Sequence, residues 1–324
     1  MKPTPKLAST TLALIMLALP LAASAQDFPS RTIRMIVPYA GGGLPDPLTR
    51  VIAQSFSATL GQSAIVEQKP GAGGLTAIQE LLKAPADGHT LMFVDPSQWA
   101  IQPNLRPGAY DPLKDFAPIG IVGRSILYLM VREDLKVANL QELIALAKSK
   151  PGVLSYGTPG NGSLHHLFME TLKSHYGVDI VHVPFKGAVL AFQAFMAGDL
   201  GVAVQAILTA EPQMKSGTMR RILAGSSQRS RFVPNVPSLA EVGIEGNFAG
   251  DLGYIARGGT PKPVVDKLAA ALAKAVQNPD FQKQLENFYA DPLFRTPEQF
   301  AETIRADLPR YARAIKIAGA KATD

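Results

Sequence analysis

Ile33-Arg-Met-Ile-Val37 opens into the loop Tyr39-Ala-Gly-Gly-Gly-Leu-Pro-Asp46, and behind that loop Leu48, Val51, Ile52, Phe56 and Leu60 recur at helical spacing. The first segment is mostly apolar and β-branched, as a buried strand is, so a strand feeds a helix through a glycine-rich turn. The next elements repeat the pattern: Ala64 to Glu67 reads as a short strand, Thr76 to Lys83 as a helix and Thr90 to Val94 as a strand. Strands alternating with helices indicate an α/β unit with a mainly parallel sheet.

A second unit begins near Ile126. Ile126 to Val131 reads as a strand, and Asn139-Leu-Gln-Glu142 is a capping box that opens a helix to about Lys148. Val153 to Tyr156 is a strand, followed by the loop Gly157-Thr-Pro-Gly-Asn-Gly-Ser163 and a helix from Leu164 to about Tyr176. The strand Ile180 to Val183, the helix Ala188 to Ala197 and the strands Leu200 to Val204 and Arg221 to Ala224 complete the unit. Beyond the turn-rich stretch from Arg231 to Asn247, Leu252 to Ala256 is a strand and Pro263 to Val276 a helix. Thr296-Pro-Glu-Gln299 then opens a long final helix, with Thr as N-cap and Pro at its first position. Two similar units joined by short crossovers predict two lobes with a cleft between them.

The whole chain has 324 residues, of which 47% are hydrophobic and 18% charged, enough for one large or two moderate cores and unlike a disordered or fibrous sequence. It has no cysteine, which excludes a disulfide framework, thiolate metal sites, a thiol nucleophile and a lipidated anchor. Residues 1–25 have the form of a cleaved export signal: Lys2 and Lys6, an apolar run from Leu12 to Ala22 interrupted by Pro20, and the small residues Ala23-Ser24-Ala25. The run is shorter than the roughly 20 residues a membrane span needs. Removing it lowers the formal charge from +6 to +4. No basic block interleaved with aromatics remains to bind nucleic acid. The expected product is a monomer outside the cytoplasm, with the periplasm as its compartment.

Two loops have the chemistry of anion sites. In the first, Gly41, Gly42 and Gly43 let backbone amides approach a ligand at a helix start; the alternative is a tight turn with Asp46 as helix cap. It is neither a P-loop nor a dinucleotide fingerprint. In the second, Thr158, Asn161, Gly162 and Ser163 bring hydroxyls and amides to another helix start, which either Asn161 or Ser163 can cap. Facing each other across a cleft, the two would clamp an organic acid. The adjacent His165 and His166 lack metal-pair spacing and read as helix-surface or cleft-lining residues, so no metal or cofactor is expected. Trp99, the single tryptophan, either packs beneath its loop or makes a flat wall for a ring. Lys186 follows a strand in Phe185-Lys-Gly187, where a carboxylate would suit it. Asp46 and Asp251 are a conceivable carboxylate pair for an enzyme, but no Gly-x-Ser-x-Gly elbow or activated nucleophile accompanies them. A sensory module would use the same loops.

The segments Ile36-Val-Pro-Tyr-Ala-Gly-Gly-Gly43, Glu67-Gln-Lys-Pro-Gly-Ala-Gly-Gly74, Ala86-Asp-Gly-His-Thr-Leu91, Tyr156-Gly-Thr-Pro-Gly-Asn-Gly-Ser163, His182-Val-Pro-Phe-Lys-Gly187, Pro234-Asn-Val-Pro237 and Gly259-Thr-Pro-Lys-Pro263 occur in one order. In that order the chain resembles the tripartite tricarboxylate transporter solute receptors, the Bug-type extracytoplasmic binding proteins. The resemblance implies a type II periplasmic-binding-protein fold with a hinge. One lobe would comprise residues 26–125 and 249–324, the other 126–248. It also implies a carboxylate ligand, partner permease subunits in the membrane, and no catalysis. By matching position, Tyr39 to Gly43 and Asp46 take the first-loop role and Ser97, Gln98 and Trp99 the lip after the third strand. Thr158, Asn161, Gly162 and Ser163 take the second-lobe role, with Phe185 and Lys186 at its rim. Leu44-Pro45, Gln205 and Asp251 depart from the family pattern. Together with Trp99 they predict a pocket for a flatter, less polar acid such as an aromatic mono- or dicarboxylate, for example terephthalate.

Overall fold

The computed structural model describes residues 28–39, 41, 44–185, 187–206 and 214–322. The stretch 1–25 that reads as an export signal, Gly42, Gly43 and Lys186 therefore lie outside the described residues. The first segments fold as expected: β1 (Ile33–Val37), α1 (Pro45–Leu60), β2 (Ala64–Gln68), α2 (Leu75–Lys83) and β3 (Thr90–Val94). β1 pairs in parallel with both β2 and β3. Every residue of β3 is buried, because helices cover both faces of this sheet, which is why the strand is an unbroken apolar run rather than an alternating one.

Several elements of the same half were not foreseen, the first a short helix after β3, α3 (Gln102–Leu105). β4 (Phe116–Ser125), a helix over Pro279–Asn287 and β11 (Ala290–Arg295) complete the layer, with β10 (Gly250–Arg257) antiparallel between β3 and β4. The strand order is β11-β4-β10-β3-β1-β2. β4 carries Pro118, Gly120 and Gly123, and β11 carries Pro292, residues that read as breakers. The structure places them where pairing is irregular: the register shifts between Pro292 and Arg295, and a Cβ on Gly120 would lie 2.9 Å from the Arg295 carbonyl oxygen. Backbone approaches too closely there for any other residue.

In the second half, β5 (Leu127–Arg132), α4 (Leu140–Ser149), β6 (Ser155–Thr158), α5 (Leu164–Tyr176), β7 (Val181–Pro184), α6 (Ala188–Ala197), β8 (Val202–Ala206) and β9 (Met219–Ala224) form a sheet of order β7-β6-β8-β5-β9. Asn139 caps α4 as its sequence predicts, accepting from the Glu142 amide. The chain passes between sheets through Ile126 and returns through residues 225–249. The two passages lie side by side: Gly225 N–H donates to the Leu127 carbonyl at 2.7 Å, and Gly250 pairs with Ser125. Paired crossings of this kind are where hinge rotation between two lobes is absorbed.

After α7 (Lys262–Gln277) and α8 (Pro279–Asn287), the last helix, α9 (Pro297–Ala318), begins with the expected capping box between Thr296 and Gln299. It lays Phe300 and Ile304 on the first sheet, where Gly253 leaves room for the Phe300 ring, and it also touches α5 of the second half. One apolar cluster consequently runs from Ile36 and Met92 through Trp99 and Phe300 to Leu129 and Leu167, across the crossings. A second cluster, with Met35, Phe93, Leu48, Tyr254 and Leu272, fills the opposite face of the first sheet.

Candidate functional site

The loops predicted to bind lie at the ends of β1, β3, β6, β7 and β8, the carboxyl edges where α/β sheets present ligand sites. In the first half, Tyr39 Oη donates to Asp95 Oδ2 at 2.5 Å and accepts from Gln98 Nε2 at 3.1 Å. Gln98 is buried, and its Oε1 accepts from the Asp95 amide at 2.9 Å. The Ser97 amide donates to Asp95 Oδ1 at 2.7 Å. Tyr39, Ser97 and Gln98 are thus brought together around Asp95, a carboxylate absent from the sequence prediction. Burial pushes its pKa above the ordinary value and, with the carboxylate beside it, raises that of Tyr39 further.

The start of α1 departs from expectation. Its N-cap position is Leu44, which has no side chain to cap with, and its first three residues are Pro45, Asp46 and Pro47. Two of the three amides that would face an anion are missing, and the third belongs to a carboxylate residue. Asp46 is not the cap; it sits in the first turn of the helix and pairs with Arg50 at 3.2 Å. Gly41 stands against the Gln68 side chain.

The second loop has the opposite character. Ser163 caps α5, accepting from the His166 amide at 3.3 Å, so helix geometry leaves the Leu164 and His165 amides without intrahelical acceptors. Thr158, fully buried, accepts from the Gly160 amide at 3.2 Å and shares a 2.7 Å hydrogen bond with His182 Nε2. The Gly162 amide donates to His166 Nδ1 at 3.2 Å. Gly162 has φ 71°, and Leu105, from the first half, stands 2.3 Å from where its Cβ would be, so the two halves meet at this glycine. Asn161 is half-buried in the loop. The Phe185 amide donates to the Thr158 carbonyl at 2.9 Å, and its ring packs against Gly157. Gln205 is buried and ties the start of α6, donating to the Ala188 carbonyl at 3.1 Å.

Two other candidates lie apart from the loops. Trp99 is fully buried: its indole N–H donates to Asp307 at 2.9 Å and its ring meets Phe300 edge-on at 5.0 Å. The expectation of a flat wall for a ligand ring is therefore corrected, since a ring with no exposed face has none to offer. Asp251 pairs with Arg124 through two hydrogen bonds of 2.5 and 3.0 Å between the hinge strands β4 and β10. It lines a cavity of about 170 Å³ with Arg295, Asp307 and Arg310, behind the crossings. Asp46 and Asp251 are each paired with an arginine. Among the described residues no three His, Cys, Asp or Glu side chains converge as a metal site, and no helix is long and apolar enough to cross a membrane.

His166 and His182 were not among the predicted ligand residues. Their signal in the sequence was slight: His166 falls three positions after a Ser N-cap, and His182 opens the strand segment that leads to Phe185.

Residues 48–320 match the tripartite tricarboxylate transporter family receptor. A Cupriavidus necator protein described as "UPF0065 protein in gbd 5'region" is 35% identical over 309 residues, spanning 95% of this chain and 94% of its own length. Among solved structures, R. palustris Rpa4515 with adipate shares a TM-score of 0.82 at 29% identity, covering 91% of this chain and 99% of that one. MatC of Rhodopseudomonas palustris with bound malate shares 0.78 at 30% identity, covering 89% and 100%. The paired sheets, the adjacent crossings and these likenesses place the chain in the tripartite tricarboxylate transporter receptor family, whose members are solute-binding receptors with the fold of periplasmic binding proteins.

Proposed function

We propose that this protein is an exported receptor that closes on a carboxylated small molecule and passes it to the membrane subunits of a tripartite tricarboxylate-type transporter. The observation that carries the reading is the second loop. Thr158, Gly160, Gly162 and Ser163 are tied together at the start of α5, where the Leu164 and His165 amides have no intrahelical acceptor and meet the ligand side at the positive end of the helix. A carboxylate is matched there by charge-assisted hydrogen bonds without an arginine clamp. The body of the acid lies toward Tyr39 and Leu44 of the first half. Residues 26–125 with 249–324 form one moving lobe and 126–248 the other, the hinge being at Ile126 and the 225–249 return. Residues 1–25 direct export and are removed.

Adipate and malate, carried by relatives, are the first acids to try. With Trp99 occupied by Asp307 and Phe300, an aliphatic acid is favoured over an aromatic one. The test is thermal unfolding of protein purified from the periplasm without refolding, against adipate, L-malate, succinate and citrate and against benzoate, phthalate and terephthalate. Binding to the folded state alone stabilises it by roughly 2.7 kcal/mol at a hundredfold excess over Kd. We expect at least one aliphatic acid to raise the midpoint in a saturable way. If every acid leaves it unmoved and native mass spectrometry finds no carried acid, the receptor reading fails; if only aromatic acids act, the preference for aliphatic acids fails.

A further inference from the structure

Beneath the second loop lies a ladder of rings that the binding role just described leaves without a task. Tyr156 on β6 stacks on His182 of β7 at 5.0 Å, and His182 stacks on His166 of α5 at 4.2 Å. Both histidines hold the loop above them: His182 Nε2 meets the Thr158 hydroxyl, and His166 Nδ1 accepts from the Gly162 amide. That amide is buried, so its acceptor matters, and an imidazole accepts at Nδ1 only when that nitrogen carries no proton. His166 must then be neutral with its proton on Nε2. Gly162 is restrained on its other side too, by its left-handed backbone and by Leu105.

We propose that His166, backed by His182, is the positioning residue of this loop: its unprotonated Nδ1 holds the Gly162 amide, and with it the segment from Thr158 to Ser163, in the shape that receives a carboxylate, and protonation releases it. For the identity of what the loop receives, the inference rests on the receptor reading above.

The surroundings favour neutral rings. Burial is the main cause that holds His182 down to about 4, with the His166 and Lys173 charges acting in the same direction. Burial likewise lowers His166, which is 6% exposed, again with Lys173 assisting. Glu170 opposes this, but its Oε1 already accepts from the Tyr156 hydroxyl at 2.6 Å and from Lys173 at 2.5 Å. His165, next on α5, is also lowered to about 4 by burial. For His182 the contribution to stability is complete above the ordinary histidine value near 6.5 and is lost as the pH falls toward about 4, and the lowering of His166 acts with the same sign. The loop is accordingly set at neutral pH and loosens under acid, and a stacked pair at 4.2 Å resists a second charge after the first.

The test uses the full exported chain labelled with ¹⁵N, without ligand, from pH 8 to pH 4. Imidazole correlations report the His166 tautomer, and amide exchange reports the Gly162 hydrogen bond. We expect the Nε2–H tautomer at pH 8, with Gly162 protection falling at least about tenfold as His166 titrates, the loss equivalent to one buried donor. His166→Asn, whose amide oxygen reproduces the acceptor without titrating, should keep the protection through the acid range, whereas His166→Leu should lose it at every pH. An exposed Gly162 amide at pH 8, an Nδ1–H tautomer, or protection indifferent to His166 titration in the parent protein overturns the proposal, even if His166→Leu fails to fold. A second arm measures adipate and L-malate affinity at pH 7.5 and 5. With affinities expressed per fully ionised acid, a loss in the parent that His166→Asn abolishes supports the positioning role, and an equal loss in both, or none in either, overturns it. If neither acid nor any other of the panel binds at pH 7.5 while Gly162 behaves as expected, the receptor reading falls and the coupling of ring to loop stands.

Discussion

The two strand-to-helix loops look alike in sequence, each glycine-rich and each opening a helix, yet they are built for different work. The first ends in Pro45-Asp46-Pro47, which removes two helix amides and adds a carboxylate at the positive end of α1. Its polar side chains turn inward on Asp95. The second ends in Ser163, which caps α5 and leaves amides free, and its glycines are fixed from below by two imidazoles and from across the cleft by Leu105. A glycine loop before a helix is thus not in itself an anion site. What decides is how many amides survive at the first three helical positions and whether a negative charge already sits there.

The sharpest way to break this comparison is Gly162→Ala. An alanine at φ 71° carries a backbone cost of about 1–2 kcal/mol. Its Cβ would also lie 2.3 Å from Leu105, and overpacking of that kind adds about 1–3 kcal/mol. We expect a loss of roughly 2–4 kcal/mol in denaturant unfolding, with Leu105→Ala in the same chain restoring the overpacking part but not the backbone part. A neutral Gly162→Ala would mean that the second loop is no more tightly held than the first.

Tyr39→Phe probes the other side with a smaller effect. It deprives the buried Asp95 carboxylate of a hydroxyl donor, worth about 1.5–3 kcal/mol for a bond to a charged group. The pH dependence separates this from a packing loss. The folded-state pKa of Asp95 is already raised by burial, and losing the donor raises it further. A carboxyl whose folded pKa lies above its unfolded one favours the folded state at low pH, and that advantage is lost as the pH rises through the folded value. The deficit of Tyr39→Phe should therefore be largest at neutral pH and shrink on acidification toward 4. A deficit constant with pH would show that the hydroxyl contributes through packing alone.

Much of the architecture was legible because it rests on local pattern. β1, α1 and β3 follow from periodicity, and the caps at Asn139 and Thr296 follow from residue type. β4 and β11 were not legible, because Pro118, Gly120, Gly123 and Pro292 look like interruptions until the Arg295 and Asp291 backbone is seen pressing on them. α8 buries only Phe281 and Leu285, too few apolar positions to declare a helix. At the site, Asn161 and Ser163 were both visible as caps from their place before an apolar helical run, and the bond from the His166 amide decides for Ser163. The Gly162 amide reaches His166 within the same short stretch, but the His182 ring stacked on His166 is brought there by the pairing of β6 with β7, a contact that no spacing encodes. Trp99 shows the same limit: its residue type permitted packing or ligand stacking, and only the arrival of Asp307 and Phe300 on the distant α9 settles it as packing.

Gly41→Ala completes the pair with the smallest effect expected. Gly41 has no left-handed backbone to lose, and an added Cβ would meet the end of the Gln68 side chain at 3.0 Å, a flexible group that can move aside. The substitution also narrows the backbone freedom of the unfolded chain, which by itself stabilises by about 0.4–1 kcal/mol where the native conformation permits alanine. These opposing terms leave stability within about 0.5 kcal/mol of the parent, the usual range for a site without a buried feature. Acid affinity should follow the same asymmetry, falling with Gly162→Ala and holding with Gly41→Ala in calorimetric titration. If Gly41→Ala weakens binding as much as Gly162→Ala does, the first loop presents its backbone to the acid after all, and the proline-flanked start of α1 is compensated by amides further back in the turn.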